Sequence, residues 1–326
     1  MNRRGWIRAS GALALASIGA PAVSAAPAWP SRPLRIVVPF PPGGTSDVIA
    51  RLISKPLGDA LGGSNVVVEN KTGANGSIGA AAVAQATDEH TLLLSDMSAL
   101  AITPLVTKDM PYKPSELKGV TLLAYSPHLL VAHPSVPASN LGELVAYSKS
   151  KSLNVASSGS GSANHLGVVD IALATGMRWQ HVPFRGGSQA IGDTAAGNTQ
   201  LCLNGMLATL PLVQSGRLKA IGVSKRTRMA LLADVPTIAE QGVKDFESGT
   251  YQGVAVATSL PKAIADRLSV ALIEVIRQPE IRSRMTGAGA EVMTSSPAET
   301  SAFLAGEAKR WASVIQRAGQ QLEGNV

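Results

Sequence analysis

"VPFPPGGTSDVIARL", residues 38–52, decides the fold. The run "LRIVVPF" (34–40) that leads into it is continuously apolar, the pattern of a strand buried on both faces in a parallel sheet. Two prolines and two glycines then interrupt it. Thr45-Ser46-Asp47 opens an amphipathic segment in which Val48, Ile49, Leu52 and Ile53 share one helical face, and Pro56 is expected to end or kink that helix. The same strand–turn–helix unit recurs in "NVVVEN" (65–70) followed by "TGANGSIGAAAVAQA" (72–86), and "TLLLSD" (91–96) supplies a third strand. Three such units in succession predict a doubly wound α/β arrangement.

The pattern continues outward. "VTLLAYSPHLLVAHP" (120–134) is a long apolar stretch broken by Pro127. "LNVASSGSGSANHLGVVDIAL" (153–173) and "WQHVPFRGGSQAIGDTAAG" (179–197) are two further strand–loop–helix units, and "TQLCLNGM" (199–206), "LKAIGVS" (218–224) and "TYQGVAVA" (250–257) are strands. Two α/β lobes of roughly 120 to 170 residues fit this length. The extended stretches near 120–132 and 248–257 are the candidates for strands crossing between them. We expect 27–124 with 249–326 to form lobe 1 and 125–248 to form lobe 2. Two helices close the chain. One spans about Pro261 to Arg277, with Ile264, Leu268, Leu272 and Ile276 on one face. The last opens with Ser296 as N-cap, Pro297 at N1 and Glu299 at N3, a capping box, and Gly319 suits its end.

Composition bounds the function. The chain has 326 residues, 45% hydrophobic and 16% charged, enough to bury a large core. Residues 1–26 have the form of an export signal: a basic start, the short apolar run "GALALASIGA", and a small-residue site that predicts cleavage near Ala25 or Ala26. Arg3-Arg4 admits a twin-arginine variant of it. Losing Arg3, Arg4 and Arg8 takes the net charge from +7 to +4, and with no basic–aromatic stripe nucleic acid is not an expected partner. Cys202 is the one cysteine; it precludes an intrachain disulfide and, within "QLCLNG", behaves as a small buried hydrophobe.

Four Gly-rich loops lie between a strand and a helix: Pro41-Pro42-Gly43-Gly44-Thr45, Thr72-Gly73-Ala74-Asn75-Gly76, Ser157-Ser158-Gly159-Ser160-Gly161, and Arg185-Gly186-Gly187-Ser188. Any one alone is a tight turn. Together they predict a cleft walled by backbone N–H groups at helix starts, where an anion, most simply a carboxylate, is stabilised. The phosphate motifs G-x-x-x-x-G-K-[ST] and G-x-G-x-x-G are both absent. Asp47, in the first helical turn, either caps the helix, holds the loop by hydrogen bonds, or meets a ligand ammonium. His165 either orders the third loop or touches the ligand. No H-E-x-x-H, no zinc spacing and no nucleophile–base pair is present, so neither a metal nor a cofactor is expected, and "NGSIG" (75–79) lacks the first glycine of a nucleophile elbow.

The opening stretch, "VVVENKTGANGSIG" (66–79), "HVPFRGGSQA" (181–190) and "LADVPTIAEQG" (232–242) together resemble the exported solute receptors of the tripartite tricarboxylate transporter family, often called Bug receptors. The resemblance spans nearly the whole chain after the signal. It implies a two-lobed periplasmic-binding-protein fold (type II-like) that closes on a small carboxylate and works with membrane transporter subunits, as a monomer and not as an enzyme. It also implies that Pro42, Gly43, Gly44 and Thr45, with Gly73, Ala74 and Asn75, hold a carboxylate through backbone N–H groups and waters. Asp47 falls on the family's Asp. Ser158, Gly159 and Ser160 then face that wall from the other lobe, beside His165, with Arg185 and Gly186 near the rim. The chain departs from the family pattern at Thr87-Asp88-Glu89-His90, at Asp170 in place of Glu, at Tyr251 where Trp is frequent, and in "LNGM" (203–206). A ligand-reporting partner of a membrane sensor and a secreted hydrolase are the alternative readings. The hydrolase is disfavoured because no nucleophile and base can be named.

Overall fold

The computed structural model describes residues 29–319 together with 322, 324 and 325. The expected export signal lies outside them. Three parallel units open the fold: β1 (Leu34–Val38), α1 (Thr45–Ala60), β2 (Val66–Asn70), α2 (Ser77–Ala84), β3 (Thr91–Asp96) and α3 (Met97–Val106). The long strand β4 (Leu117–Ala132) follows, then α4 (Leu141–Ser150). A second parallel set runs β5 (Leu153–Ser157), α5 (Ala163–Thr175), β6 (Trp179–Pro183), α6 (Gly187–Ala195), β7 (Leu201–Gly205), α7 (Met206–Gln214) and β8 (Lys219–Val223). The chain closes with β9 (Gly249–Ala257), α8 (Lys262–Arg277), α9 (Pro279–Gly287), β10 (Glu291–Val292), α10 (Pro297–Ala318) and β11 (Gly324–Asn325).

The strands lie in the order β11-β6-β5-β7-β4-β9-β3-β1-β2, with β8 and β10 also paired to β4. Each half repeats one plan. In one, β1 pairs in parallel with β2 on one side and β3 on the other; in the other, β5 does the same with β6 and β7. β4 joins them: Leu117 to Pro127 lie against β9, and His128 to Ala132 lie against β7. The result is the two-lobed periplasmic-binding-protein fold, two doubly wound lobes joined by a crossing strand.

Strand alternation builds the layers. Ile36 and Val38 turn to α1 and α8, packing with Ile49, Ile53, Leu57, Leu268 and Leu272. Val37 turns to the other face, with Ala80, Val83, Leu93 and Met97. In the second lobe Leu201 and Leu203 pack with Leu144, Val168 and Ile171, while Cys202 faces Ala190, Ile191 and Leu218. Burial pushes the Cys202 thiol well above its ordinary pKa, which makes it inert.

Pro56 does not end its helix, and Pro127 does not end its strand. α1 runs through Pro56, because Ile53 and Leu57 on either side are fully buried in the core and tie both turns to the sheet. Pro127 does not break β4; it stands where the strand changes partner from β9 to β7. Val48, expected on the buried face of α1, is 39% exposed. The capping box on α10 is present, Ser296 Oγ accepting from Glu299 N–H at 3.2 Å and Glu299 Oε2 from Ser296 N–H at 2.7 Å. α10 spans both lobes: Trp311 and Val314 pack with Ile102 of α3 and with Ala163 and Leu166 of α5, and Arg317 pairs with Asp170 at 2.9 Å.

Candidate functional site

In a doubly wound sheet, ligands sit at the strand C-termini where the winding reverses. Here each lobe reverses at its first strand, and the junctions after β1 and β3 face those after β5 and β7 across one small cavity of about 50 Å³. Gly44, Thr45 and Ser46 come from the first junction, Asp96 from the second, Ser158 and Asn164 from the third and Asn204 from the fourth. Gly187 at the start of α6, Phe40, and Thr250 and Gln252 of β9 complete the lining, which contains no Lys or Arg.

The first wall is bare backbone. Gly44 is the N-cap of α1 and offers no capping side chain, so the N–H groups of the first turn are left for a ligand or solvent. Gly43 turns the chain there with φ +79°, a conformation that a side chain resists. Asp47 holds this turn from behind. Its Oδ2 accepts from Gly43 N–H at 2.9 Å, both oxygens accept from Arg51 Nε at 3.0 Å, and Oδ1 accepts from Asn70 Nδ2 at 2.9 Å. Asn70 also donates to Phe40 O at 3.0 Å, which ties the loop to the end of β2. Burial alone would raise the Asp47 pKa, but the hydrogen bonds from Arg51, Gly43 and Asn70 outweigh it and hold the carboxyl below its usual range.

The facing wall is a hydrogen-bonded chain. Ser158 Oγ donates to Asn164 Oδ1 at 2.8 Å, Asn164 Nδ2 to Asn204 Oδ1 at 3.4 Å, and Asn204 Nδ2 to Thr209 Oγ1 at 3.2 Å. Ser162 caps α5, and Gly186 leaves α6 without a side-chain cap. The walls touch: a Cβ on Gly186 would lie 2.4 Å from Pro41 Cδ, and one on Gly205 2.8 Å from Thr45 Oγ1.

Of the residues expected at the site, Gly44, Thr45 and Ser158 line this cavity. Ala74, Asn75, Gly159, Ser160 and His165 are brought together instead around a neighbouring opening of about 370 Å³. His165 is buried; its Nδ1 accepts from Gly161 N–H at 2.9 Å and its Nε2 donates to Leu322 O at 2.6 Å. It also stacks on His181 at 3.9 Å, so it orders the third loop. Pro42, Gly43, Asp47, Gly73, Arg185 and Gly186 line neither space: Asp47 braces the first loop, Gly186 meets Pro41, and Pro42, Gly43 and Arg185 are exposed.

Sequence reading missed Asp96, Asn204 and Gln252. Asp96 ends β3 at a junction without glycine, and only the winding order marks it. Asn204 lies in the departing stretch "LNGM", and Gln252 follows the departing Tyr251. Among the described residues no group of His, Cys, Asp and Glu could hold a metal ion, and no helix is long and apolar enough to cross a membrane.

The sequence matches the family described as the tripartite tricarboxylate transporter family receptor over residues 49–320. The chain belongs to that family. The receptor is similar to Protein BugT of Bordetella pertussis, 34% identical over 316 residues that cover 95% of this chain and 96% of BugT. Its fold matches Rpa4515 of R. palustris, solved with adipate, at TM-score 0.86 and 29% identity, over 89% of this chain and 98% of that one. It also matches MatC of Rhodopseudomonas palustris, solved with bound malate, at TM-score 0.82 and 29% identity, over 88% of this chain and all of that one. Family and fold are those of periplasmic solute-binding receptors, which are not enzymes.

Proposed function

We propose that this receptor captures a small carboxylate between its lobes, 27–124 with 249–326 and 125–248, and delivers it to membrane subunits of a tripartite tricarboxylate-type transporter. The observation that carries this is the pair of helix starts, α1 and α6, that leave their first turns without a capping side chain at one cavity. Backbone N–H groups fixed there stabilise an anion without a Lys or Arg side chain. Gly44, Thr45 and Ser158 contact the carboxylate; Ala74, Asn75, Gly159, Ser160 and His165 shape the adjoining opening. The related receptors with adipate and malate support the ligand class. Both walls come from one chain, so capture needs no second copy, and the receptor works as a monomer in the periplasm after its signal is cleaved near Ala25 or Ala26.

The test is thermal unfolding of ligand-stripped receptor against mono-, di- and tricarboxylates and amino acids. A ligand at about 100 times its Kd adds about 2.7 kcal/mol, a clear upward shift. No shift with any acid would overturn the reading.

A further inference from the structure

At the end of β3 and the facing strand β9, the cavity changes character. Asp96 and Gln252 are register partners on these antiparallel strands, so their side chains stand side by side on one face. Both line the cavity, 7% and 1% exposed. Asp96 Oδ1 accepts from Ser98 N–H and from Tyr251 N–H, each at 3.1 Å. Gln252 Oε1 is buried and has no hydrogen-bond partner among the described residues. A buried acceptor left unpaired is costly, so a donor supplied by the ligand would be strongly favoured there.

The ionisable groups at this end are carboxyls. Ser98 links Asp96 to Glu307 of α10: its N–H donates to Asp96 and its Oγ to Glu307 Oε2 at 3.0 Å. Glu307 is itself held by Trp311 Nε1 at 2.9 Å and Arg310 at 3.4 Å. A second ligand carboxylate here would face Asp96 and Glu307 with no lining cation to offset it.

Resting on the receptor reading above, we infer that Asp96 and Gln252 recognise a protonated amine, so that the solute is a small amino acid rather than a dicarboxylate. Its carboxylate sits at the helix starts and its ammonium between Asp96 and Gln252. The ligand then brings its own cation to a cleft that has none. At about 10–15 Å³ for each water, the cavity has room for roughly four, which favours a short side chain.

This arrangement predicts a proton linkage. Burial, with a smaller contribution from the Glu307 charge, pushes the Asp96 carboxyl up to about 7 against the hydrogen bonds from Tyr251 and Ser98. The other ionisable groups around it are Tyr251, pushed up to about 12 and neutral, and Glu307, which Arg310 partly balances. Binding an ammonium requires Asp96 to ionise, so the complex releases a proton and tightens as pH rises from 5.5 to 8.

Calorimetry on the ligand-stripped receptor tests this with small amino acids, their deaminated counterparts and C3–C6 dicarboxylates, at pH 5.5 and pH 8. At least one amino acid should bind roughly tenfold or more tightly than its deaminated counterpart, and more tightly at pH 8. Asp96→Asn keeps an acceptor for the Ser98 and Tyr251 N–H groups and should erase most of that preference. Gln252→Leu, which removes the orphan acceptor without disturbing the helix cap, should erase part of it. Preferred binding of a dicarboxylate or amine-free acid, unaffected by Asp96→Asn or tighter at pH 5.5, would overturn the inference and leave the receptor reading standing. Binding of no acid at all would overturn both.

Discussion

Asp47 and Asp96 both stand beside the first turn of a helix that follows a parallel strand of the same lobe, yet their surroundings give them opposite work. Asp47 accepts hydrogen bonds from Gly43, Arg51 and Asn70, is held ionised, and has no ligand-facing part. Asp96 is enclosed at the cavity, shares its region with Glu307, and has its ionised form disfavoured. One carboxylate is spent on shaping a wall; the other is left in tension for a partner. A carboxylate's sequence position at a helix start therefore does not fix its role. Depth of burial and the sign of the nearest charge, Arg51 beside Asp47 and Glu307 near Asp96, do.

The largest effect that could break this contrast is on Asp47. Asp47→Ala removes the acceptor that fixes the Gly43 turn and leaves Arg51 with Asn70 but no carboxylate, so the first wall loses its fixed geometry. Carboxylate affinity should fall about 100-fold, with a stability loss of about 1–3 kcal/mol from the lost hydrogen bonds. Urea unfolding and calorimetry would measure the two together. A variant that binds normally would show that the wall holds without its brace.

Gly186→Ala sharpens the same point without touching Asp47. Gly186 has φ 172°, extended backbone that any residue adopts, so the substitution adds no strain within its own lobe. Its new methyl would meet the ring of Pro41 at 2.4 Å, on the loop that Asp47 braces, and would wedge the lobes apart. Affinity should fall roughly 10- to 30-fold because the ligand is no longer enclosed, while the ligand-free Tm stays within about 1 °C. If Asp47→Ala and Gly186→Ala weaken binding similarly but only the first destabilises the protein, loop placement is what binding needs.

Much of this was legible in the sequence, and the limits have physical causes. The parallel strands announced themselves as apolar runs, and the lobe-crossing stretch at 120–132 as an unusually long one. The Gly-rich loops were visible because bare backbone has a composition. Pro56 and Pro127 misled because local propensity is overridden where neighbours such as Ile53 and Leu57 are anchored in a core. Asp96 was invisible because its junction carries no glycine, and its place at the cavity depends on β3 lying on the opposite side of β1 from β2, a matter of strand order. Gln252 was hidden in the same way: its partner in the ladder, Asp96, lies 156 positions earlier in the chain.

The smallest effect concerns stability and pH, and it tests the contrast most directly. Asp96 titrates at about 7 in the folded chain and near 4 when unfolded, so between those values the folded chain holds a proton that the unfolded chain has released. Its stabilising contribution is complete below about pH 4 and is lost as pH rises to about 7. Asp47, with its folded pKa depressed, works the other way: its contribution is present above about pH 4 and is lost on acidification below that. Asp96→Asn removes the first dependence and leaves the second. The ligand-free variant should therefore gain about 2–4 °C in Tm over the parent at pH 8, with the gain shrinking towards pH 5 as the parent's carboxyl becomes neutral. Melting curves of both proteins from pH 4 to pH 8 measure it. A gain that is constant across this range would place the ionised Asp96 in surroundings that do not resist its charge, and the two carboxylates would then differ in position alone.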